Sequence, residues 1–151
     1  MKIGIVSDHR GYRLKKILVE YLTKKNFEVF DFGTDSEASV DYPTYGFLIG
    51  EKVSSHEVDF GIAICGSGIG ISIACNKVKG IRCAKVNTSK EAYHTRMDND
   101  SNILALSGDL PSYKAKDIVD EFFSTDFSNI DRHINRIKMI SAYEDSLKNE
   151  C

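Results

Sequence analysis

The stretch FGIAICGSGIG, residues 60–70, combines a nucleophilic side chain with a glycine-rich loop. An apolar run ends at Cys65, and glycines follow at alternate positions. Glycine lets a backbone approach an anion closely, and amides at the start of a following helix point toward such an anion. Because thiols in such positions ionise more readily, the pattern predicts a cysteine base beside an anion hole, suited to removing a proton next to a carbonyl group. The alternative is that Cys65 is a small buried hydrophobe and that the glycines form only a tight turn.

Several well-known glycine-rich loops do not fit this pattern. A dinucleotide-binding loop usually follows the first strand and needs an acidic residue further on, near the position of Lys90. The chain lacks the Gly-Lys-Ser/Thr of a P-loop, and a phosphatase loop would need arginine at the position of Ile71. A flavin mononucleotide site would need a Ser/Thr-rich loop after the first strand, where this chain has DHRG. What remains is an anion hole beside a thiol.

Polar residues elsewhere in the chain are candidates to complete such a site. Asp8 and His9 directly follow the first predicted strand, although such a pair can also cap the next helix. Arg132 and Arg136 stand one helical turn apart, so both guanidinium groups can face one oxyanion or simply face solvent. The four histidines are scattered, with no spacing that indicates zinc. We therefore expect proton transfer without a metal or another cofactor.

The elements that must hold these residues alternate between strand and helix. Apolar runs predict strands at 2–7, 27–33, 58–65, 81–86 and 102–107. Intervening patterns predict helices, among them 43–55, 70–79 and 88–99, and two further helices follow the last strand. Such alternation is typical of an α/β protein, a three-layer α/β/α sandwich around a parallel sheet. Ligands bind such sheets beyond the carboxyl ends of the strands, where strand order reverses. If the first strand lies between the second and third, Asp8 and Cys65 flank that point.

Composition and charge narrow the class of protein. The 151 residues are 42% hydrophobic and 28% charged, as expected for one globular domain spanning 1–151. A net charge of −2 gives no reason to expect nucleic acid or a membrane as partner. The first residues, MKIGIVSD, lack the apolar run of a signal peptide, and the four cysteines show no Cys-x-x-Cys pairing. These features predict reduced thiols and a cytoplasmic location.

With these residues in view, the chain resembles the type B ribose-5-phosphate isomerase family, which also includes allose- and galactose-6-phosphate isomerases. The resemblance covers nearly the whole chain and is carried, in order, by SDHRGY (7–12), FDFGT (30–34), VDYP (40–43), ICGSGIGISIACNKVKGIR (64–82), NDSNILAL (99–106) and DRHINR (131–136). The resemblance implies a Rossmann-like five-stranded parallel sheet of order 2-1-3-5-4. It also implies a homodimer with active sites shared between chains, and we expect the C-terminal helix, about 131–148, at the dimer interface. Further pairing of dimers into tetramers is left open by the sequence.

The resemblance also assigns catalytic roles. Cys65 matches the base that moves a proton between C2 and C1 of the sugar, and Ser67 stands where many members have threonine. The Ser67 hydroxyl would hold the enediolate oxygen together with the amides of Gly66, Gly68 and Gly70. The sequence therefore predicts that the motif CGSGIG carries both the base and the anion hole.

The remaining matched positions would bind the substrate. Asp8 would hydrogen-bond sugar hydroxyls, and Tyr42 matches a pocket-lining tyrosine, for which a packing role is an equal alternative. Three residues match positions that bind around the phosphate, namely His9, Arg132 and Arg136. Asn99 matches an asparagine that the neighbouring subunit supplies.

Three positions depart from the family pattern. Asp98 replaces a histidine that helps open the sugar ring, so Asp98 becomes the expected ring-opening group, with His9, His94 or unaided opening as alternatives. Asp109 stands where many members carry an arginine that reaches the phosphate, whereas Arg10 occupies a position that is usually small. We hypothesise that Arg10 restores the phosphate-directed charge that is lost at position 109.

The resulting expectation is a cofactor-free isomerase that interconverts ribose 5-phosphate and ribulose 5-phosphate by metal-free proton transfer. An isomerase of a hexose 6-phosphate, of the allose or galactose type, is one alternative. A non-catalytic phosphosugar-binding protein is another. Retention of Cys65 favours an enzyme, because a pure binder needs the anion hole but not the thiol.

Overall fold

Within residues 1–147, which the computed structural model describes, five parallel strands form one sheet: β1 Lys2–Ser7, β2 Glu28–Asp31, β3 Phe60–Cys65, β4 Cys83–Lys85 and β5 Ile103–Ser107. The same residues form six helices: α1 Tyr12–Lys24, α2 Tyr42–Ser54, α3 Ile69–Cys75, α4 Ser89–Asn99, α5 Ser112–Ser124 and α6 Asp131–Ser146. The predicted alternation of strand and helix is confirmed. No helix in this described part is long and apolar enough to cross a membrane.

The sheet has the order β2-β1-β3-β5-β4, and every neighbouring pair is parallel, as predicted. Ser7 pairs with Ile64, and Cys65 pairs with Ser107. The carboxyl ends of β1, β3 and β5 therefore meet at one edge. Because strand order reverses between β1 and β3, the crevice of a doubly wound sheet lies at that edge.

Two buried clusters, one on each face of the sheet, fix the central strand β3. Ile64 belongs to the cluster that includes Leu18 of α1 and Phe122 of α5. Cys65 points to the other face and belongs to the cluster that includes Ile71 of α3. Burying an aliphatic or aromatic side chain of this size contributes about 1.5–3 kcal/mol, so the two clusters fix the end of β3 firmly. This rigidity positions the thiol.

Helix α3 is shorter than predicted. The pattern indicated a helix over 70–79, but α3 ends at Cys75, and the turn that follows uses i to i+3 hydrogen bonds. The cause is the Asn76 side chain, which donates to the Cys83 carbonyl at 2.9 Å and accepts from the Cys83 amide at 2.8 Å. This clamp turns the chain into β4. By contrast, the helices predicted at 43–55 and 88–99 agree within one residue with α2 and α4.

An apolar stripe at helical spacing runs along α1 through Leu14, Ile17, Leu18, Tyr21 and Leu22, but the buried face does not coincide with it. Leu18 and Leu22 are buried, but Ile17 is 39% exposed. Lys15 is buried instead, and its ammonium group pairs with Asp31 at 2.5 Å. A buried ammonium needs such a partner, so this pair replaces part of the expected apolar contact between α1 and the sheet.

Helix α6 lies at the amino end of the sheet, where the Gly80 amide donates to the Glu144 carboxylate at 3.0 Å. Its outer face is apolar, since Ile140 and Tyr143 are 57% and 69% exposed. Residue 148, the predicted end of this helix, and Cys151 lie outside the described residues.

Candidate active site

Cys65 ends β3 at the crevice, with only 4% of its surface exposed. Its Sγ accepts a hydrogen bond from the Gly68 amide at 3.2 Å, and such a donor favours negative charge on the sulfur. Cys65 also lines a surface pocket of about 350 Å³, within the size range of small-molecule sites. A small ligand in this pocket therefore reaches the sulfur.

The glycine loop, residues 66–70, folds back toward the sulfur of Cys65. Gly68 has a φ of 77°, and a Cβ at this position would lie 2.7 Å from the Leu106 backbone. The Gly68 amide thus faces Cys65, not a ligand oxygen as the enediolate role predicts, because the tight turn aims it inward. Ser67 is exposed, and its Oγ accepts from the Ile69 amide at 3.1 Å, so its own hydrogen can be donated to a ligand.

The loop after β1 lies beside the thiol. Asp8 is 5% exposed, and its Oδ1 accepts from the amides of Arg10 and Gly11 at 2.9 and 3.0 Å. The Asp8 amide donates to the Ile64 carbonyl at 3.0 Å, which ties the loop to β3. Asp8 therefore shapes the loop and also lines the pocket.

His9 and Tyr42 join this loop to the start of α2. The Nδ1 of His9 accepts from the Val40 amide at 3.2 Å, so the neutral imidazole carries its hydrogen on Nε2. The ring of Tyr42 lies against Gly70, where a Cβ would come within 2.6 Å of the ring. Tyr42 is thus a wall of the pocket, and Gly70 is required for its close approach.

Arg10 covers the glycine loop. A Cβ at Gly66 would lie 2.3 Å from its Cζ, so the guanidinium group rests on the Gly66 backbone. Its Nη2 lies 3.5 Å from Oδ2 of Asp109, and both side chains are largely exposed. Among the described residues that line the pocket, Arg10 is the only cationic one. Two of the three departures from the family pattern therefore contact each other.

The other predicted residues lie at the opposite edge of the sheet. Asp98 and Asn99 end α4, beside Asp100, whose side chain contacts Arg82 just before β4. The five residues of β5 run from this edge to the crevice, about 17 Å in an extended strand. Within one chain, Asp98 and Asn99 are therefore remote from Cys65.

Arg132 and Arg136 belong to this remote group as well. Both are exposed on α6, and the neighbouring His133 contacts Asp98, with 3.6 Å between Nε2 and Oδ1. The predicted site residues thus fall into two separate groups within the chain, which we call half-sites. The crevice half-site comprises Asp8, His9, Arg10, Tyr42, Cys65, Gly66, Ser67, Gly68 and Gly70, and the remote half-site comprises Asp98, Asn99, Arg132 and Arg136.

Asp98 lies between two imidazoles. His94 approaches Oδ2 at 3.6 Å from the solvent side, whereas His133 is 6% exposed and its Nδ1 lies 2.9 Å from the Ser128 hydroxyl. These imidazole–carboxylate distances are too long for good hydrogen bonds but close enough for electrostatic contact. The spacing of His94 and Asp98 on one helix was visible in the sequence, but the contact with His133 was not.

Sequence reasoning missed two residues of the crevice. Ser107, the last residue of β5, donates to the Gly66 carbonyl at 2.7 Å. Ile69 lines the pocket and is 55% exposed. The position of Ser107 in the sequence could have identified it, because this residue ends a strand next to β3 and therefore reaches the same edge of the sheet.

The other two described thiols differ from Cys65. Cys83 hydrogen-bonds with Cys75 across the gap between α3 and β4, and this bond, together with burial, raises the pKa of Cys83 well above its ordinary value. A thiol with a raised pKa is a weak nucleophile. Cys65 is thus the one described cysteine that combines an amide donor with access to a pocket.

Comparison with known proteins identifies close relatives over almost the whole chain. Ribose-5-phosphate isomerase B of Escherichia coli is 40% identical over 144 residues, which covers 95% of this chain and 96% of the relative. The structure of ribose-5-phosphate isomerase B from Clostridium thermocellum has a TM-score of 0.95 and 47% identity, covering 97% of this chain and 99% of that one.

A second solved structure, ribose-5-phosphate isomerase B from Mycoplasma genitalium with bound ribulose-5-phosphate, has a TM-score of 0.91 and 40% identity, covering 95% of this chain and 96% of that one. A family model described as Ribose/Galactose Isomerase matches residues 3–140. The chain therefore belongs to the ribose/galactose isomerase family.

Proposed function

We propose that the protein is an aldose–ketose isomerase that interconverts ribose 5-phosphate and ribulose 5-phosphate, with Cys65 as the base. The observation that carries the proposal is the Cys65 sulfur, which accepts from the Gly68 amide and lines a pocket of about 350 Å³. The relatives support the choice of substrate. The Escherichia coli relative is named ribose-5-phosphate isomerase B, and the Mycoplasma genitalium structure contains ribulose-5-phosphate.

The reaction that these residues can perform is a pair of proton transfers. The Cys65 thiolate takes the proton from C2 of the open-chain aldose, and the electron pair of that bond forms the C1–C2 double bond of an enediolate. The thiol then returns the proton to C1 while the proton of the O2 hydroxyl passes to O1, which leaves a hydroxyl group at C1 and the ketone at C2. The Ser67 hydroxyl and the amides of Gly66 and Gly70 stabilise the oxygen that gains charge.

The other side chains of the crevice hold the substrate. Asp8 accepts hydrogen bonds from sugar hydroxyls, and Tyr42 closes one wall of the pocket. His9, through its Nε2 hydrogen, and Arg10, through its guanidinium group, bind the phosphate.

We propose that a second copy of the chain completes each site. Within one chain the remote half-site and the crevice lie beyond opposite ends of β5, a strand about 17 Å long, so the remote half-site can serve only the Cys65 of another chain. Exposed apolar residues support this pairing, with Ile73 on α3 and Tyr143 on α6 57% and 69% exposed. In the homodimer, Asp98 opens the sugar ring, Asn99 binds the sugar, and Arg132 and Arg136 bind the phosphate.

A cytoplasmic location belongs to the same proposal. Cys75 and Cys83 contact each other as free thiols in the structure. Neighbouring thiols persist in a reducing compartment, where glutathione and thioredoxin prevent their oxidation.

The test uses purified protein and a panel containing ribose 5-phosphate, allose 6-phosphate and galactose 6-phosphate. We expect turnover of ribose 5-phosphate and, in heavy water, deuterium incorporation at C1 of ribulose 5-phosphate. Cys65→Ala should reduce both by at least about 100-fold, as loss of a general base does. Cys83→Ala, which removes a thiol outside the pocket, should retain both. Exchange that survives Cys65→Ala would rule out this mechanism, and preference for a hexose phosphate would reassign the substrate.

A further inference from the structure

The backbone of Arg10 is fixed from two sides. Its amide donates to the Asp8 carboxylate at 2.9 Å, within the loop that follows β1. On the other side, a Cβ at Gly108 would lie 2.3 Å from the Arg10 carbonyl oxygen. The loop after β5 therefore packs directly against the loop that carries Arg10.

The backbone of Asp109 is fixed relative to the catalytic cysteine. The Asp109 amide donates to Ser107 Oγ at 3.1 Å, and the same hydroxyl donates to the Gly66 carbonyl at 2.7 Å. The Gly108 amide donates to the Cys65 carbonyl at 2.8 Å. The loop that carries Asp109 thus moves with the end of β3 and with the glycine loop.

The side chains of Arg10 and Asp109 close a ring of contacts above the glycine loop. The ring runs from Gly66 through Ser107 and Asp109 to Arg10, whose guanidinium group rests on Gly66 again. Because arginine has many rotamers and this one is 59% exposed, a partner is needed to hold it in one position. Asp109 is that partner at 3.5 Å.

We propose that Asp109 is a positioning residue that holds the guanidinium group of Arg10 over Gly66, ready to pair with the anionic end of the substrate. This inference rests on the proposed function, in which Arg10 binds the phosphate. The pair adds no net charge to the crevice, so its benefit is geometric: a planar fork that is already oriented loses less entropy on binding.

Asp109 also has a second effect, which opposes binding of the anion. The Asp109 carboxylate also repels a phosphate dianion. With 76% of its side chain exposed, this repulsion is weakened by solvent and salt. We therefore expect positioning to outweigh repulsion, so that removal of the carboxylate weakens binding of the anion.

A double-mutant cycle tests the proposal through Arg10→Ala, Asp109→Asn and the combination of both. The measured quantities are KM and kcat for ribose 5-phosphate and, independently of turnover, the Kd of inorganic phosphate from an NMR titration. Arg10→Ala should raise KM and Kd about tenfold with kcat within about twofold, and Asp109→Asn should raise them about two- to fivefold. In the Arg10→Ala background, Asp109→Asn should have no further effect.

Two further variants serve as controls. Arg13→Ala removes an exposed arginine that pairs with Glu37 outside the pocket, and it should change neither constant. Arg10→Lys keeps the charge without the planar fork and should rescue phosphate binding only in part.

The outcomes that overturn the proposal are distinct from failure of the proposed function. If Asp109→Asn lowers Kd in both backgrounds, Asp109 only repels the anion. If Asp109→Asn raises Kd equally with and without Arg10, the substitution disturbs the loop after β5 in general and does not act through Arg10. A wild-type protein that turns over no ribose 5-phosphate would refute the proposed function, while the phosphate titration would still decide whether Asp109 acts through Arg10.

Discussion

At the scale of single residues, the proposed mechanism depends on the hydrogen bond between the Gly68 amide and the Cys65 sulfur. Gly68 can make it because it adopts a φ of 77°, where residues with a Cβ are disfavoured. Since α3 has only seven residues, this local donor matters more than the dipole of the helix. The chemistry of the thiol therefore depends on one residue that carries no side chain.

Gly68→Ala should lower both kcat and stability. The added Cβ would lie 2.7 Å from the Leu106 backbone, and the left-handed conformation costs an alanine about 1–2 kcal/mol. Gly80→Ala is the matched control, because Gly80 has a φ of 81° but its Cβ would meet only Ser54 at 3.8 Å. We expect both variants to lower Tm and only Gly68→Ala to lower kcat. Equal kcat values in the two variants would contradict the role of the Gly68 amide.

Asp98→Asn separates ring opening from isomerisation. Ribulose 5-phosphate cannot form a furanose ring because its O5 carries the phosphate, so deuterium exchange at its C1 needs no ring-opening group. We expect Asp98→Asn to slow conversion of ribose 5-phosphate about 100-fold, as removal of a general acid–base group does, and to leave that exchange unchanged. His94→Ala, which alters the solvent side of the same carboxylate, should leave both rates unchanged. Undiminished conversion by Asp98→Asn would place ring opening elsewhere.

At the scale of elements, the strands were predictable because each is an apolar run bounded by polar or glycine residues. The length of α3 was not, because it is set by the contact between Asn76 and Cys83, which are separated along the chain. The crevice residues next to Cys65 were predicted because strand ends locate them. The contact between Arg10 and Asp109 joins the ends of β1 and β5, and it becomes visible only when both loops are seen to pack on β3.

The junction of α3 and β4 should weaken at alkaline pH. The hydrogen bond to Cys75 and then burial raise the pKa of Cys83 above the unfolded value of about 8.5. A raised folded pKa means that the stability contribution is complete below about pH 8.5 and is lost as pH rises through the folded pKa. We expect Cys83→Ala to flatten the fall in Tm above pH 8.5.

Tyr21→Phe provides the comparison for this pH dependence. The hydrogen bond to Asp120 and burial raise the pKa of Tyr21, so its contribution begins to fall only above about pH 10. Tyr21→Phe should therefore flatten the fall in Tm only above that pH. A Cys83→Ala curve parallel to the wild type between pH 8.5 and 10 would show that the Cys83 thiol does not control this loss.

At the scale of the whole molecule, the topology divides the functional residues between two edges of the sheet. Helices that follow parallel strands return the chain to the amino edge, so residues at the end of α4 and on α6 cannot reach the crevice of their own chain. Those residues nevertheless fit the needs of a sugar-phosphate site, with a carboxylate, an amide and two guanidinium groups. The apolar outer face of α6 supports the proposal that a second copy of the chain contacts this edge.

Mixing two inactive variants tests this division. Cys65→Ala loses the base in the crevice, and the double variant Asp98→Ala/Asn99→Ala loses the remote half-site. Joint refolding should give half of the dimers one chain of each kind, and each such dimer has one intact site. The mixture should therefore regain about a quarter of wild-type activity per chain.

The control for this complementation is a mixture of Cys65→Ala with Ser67→Ala, two changes in the same half-site. In a hybrid of these chains every crevice carries one of the two changes, so activity should not exceed the average of the separate variants. Mass spectrometry of the native proteins confirms that hybrids have formed. If sites are shared between chains, each hybrid dimer of the first mixture has one site that contains every residue that the mechanism uses. Hybrid dimers that remain inactive would therefore contradict a shared site.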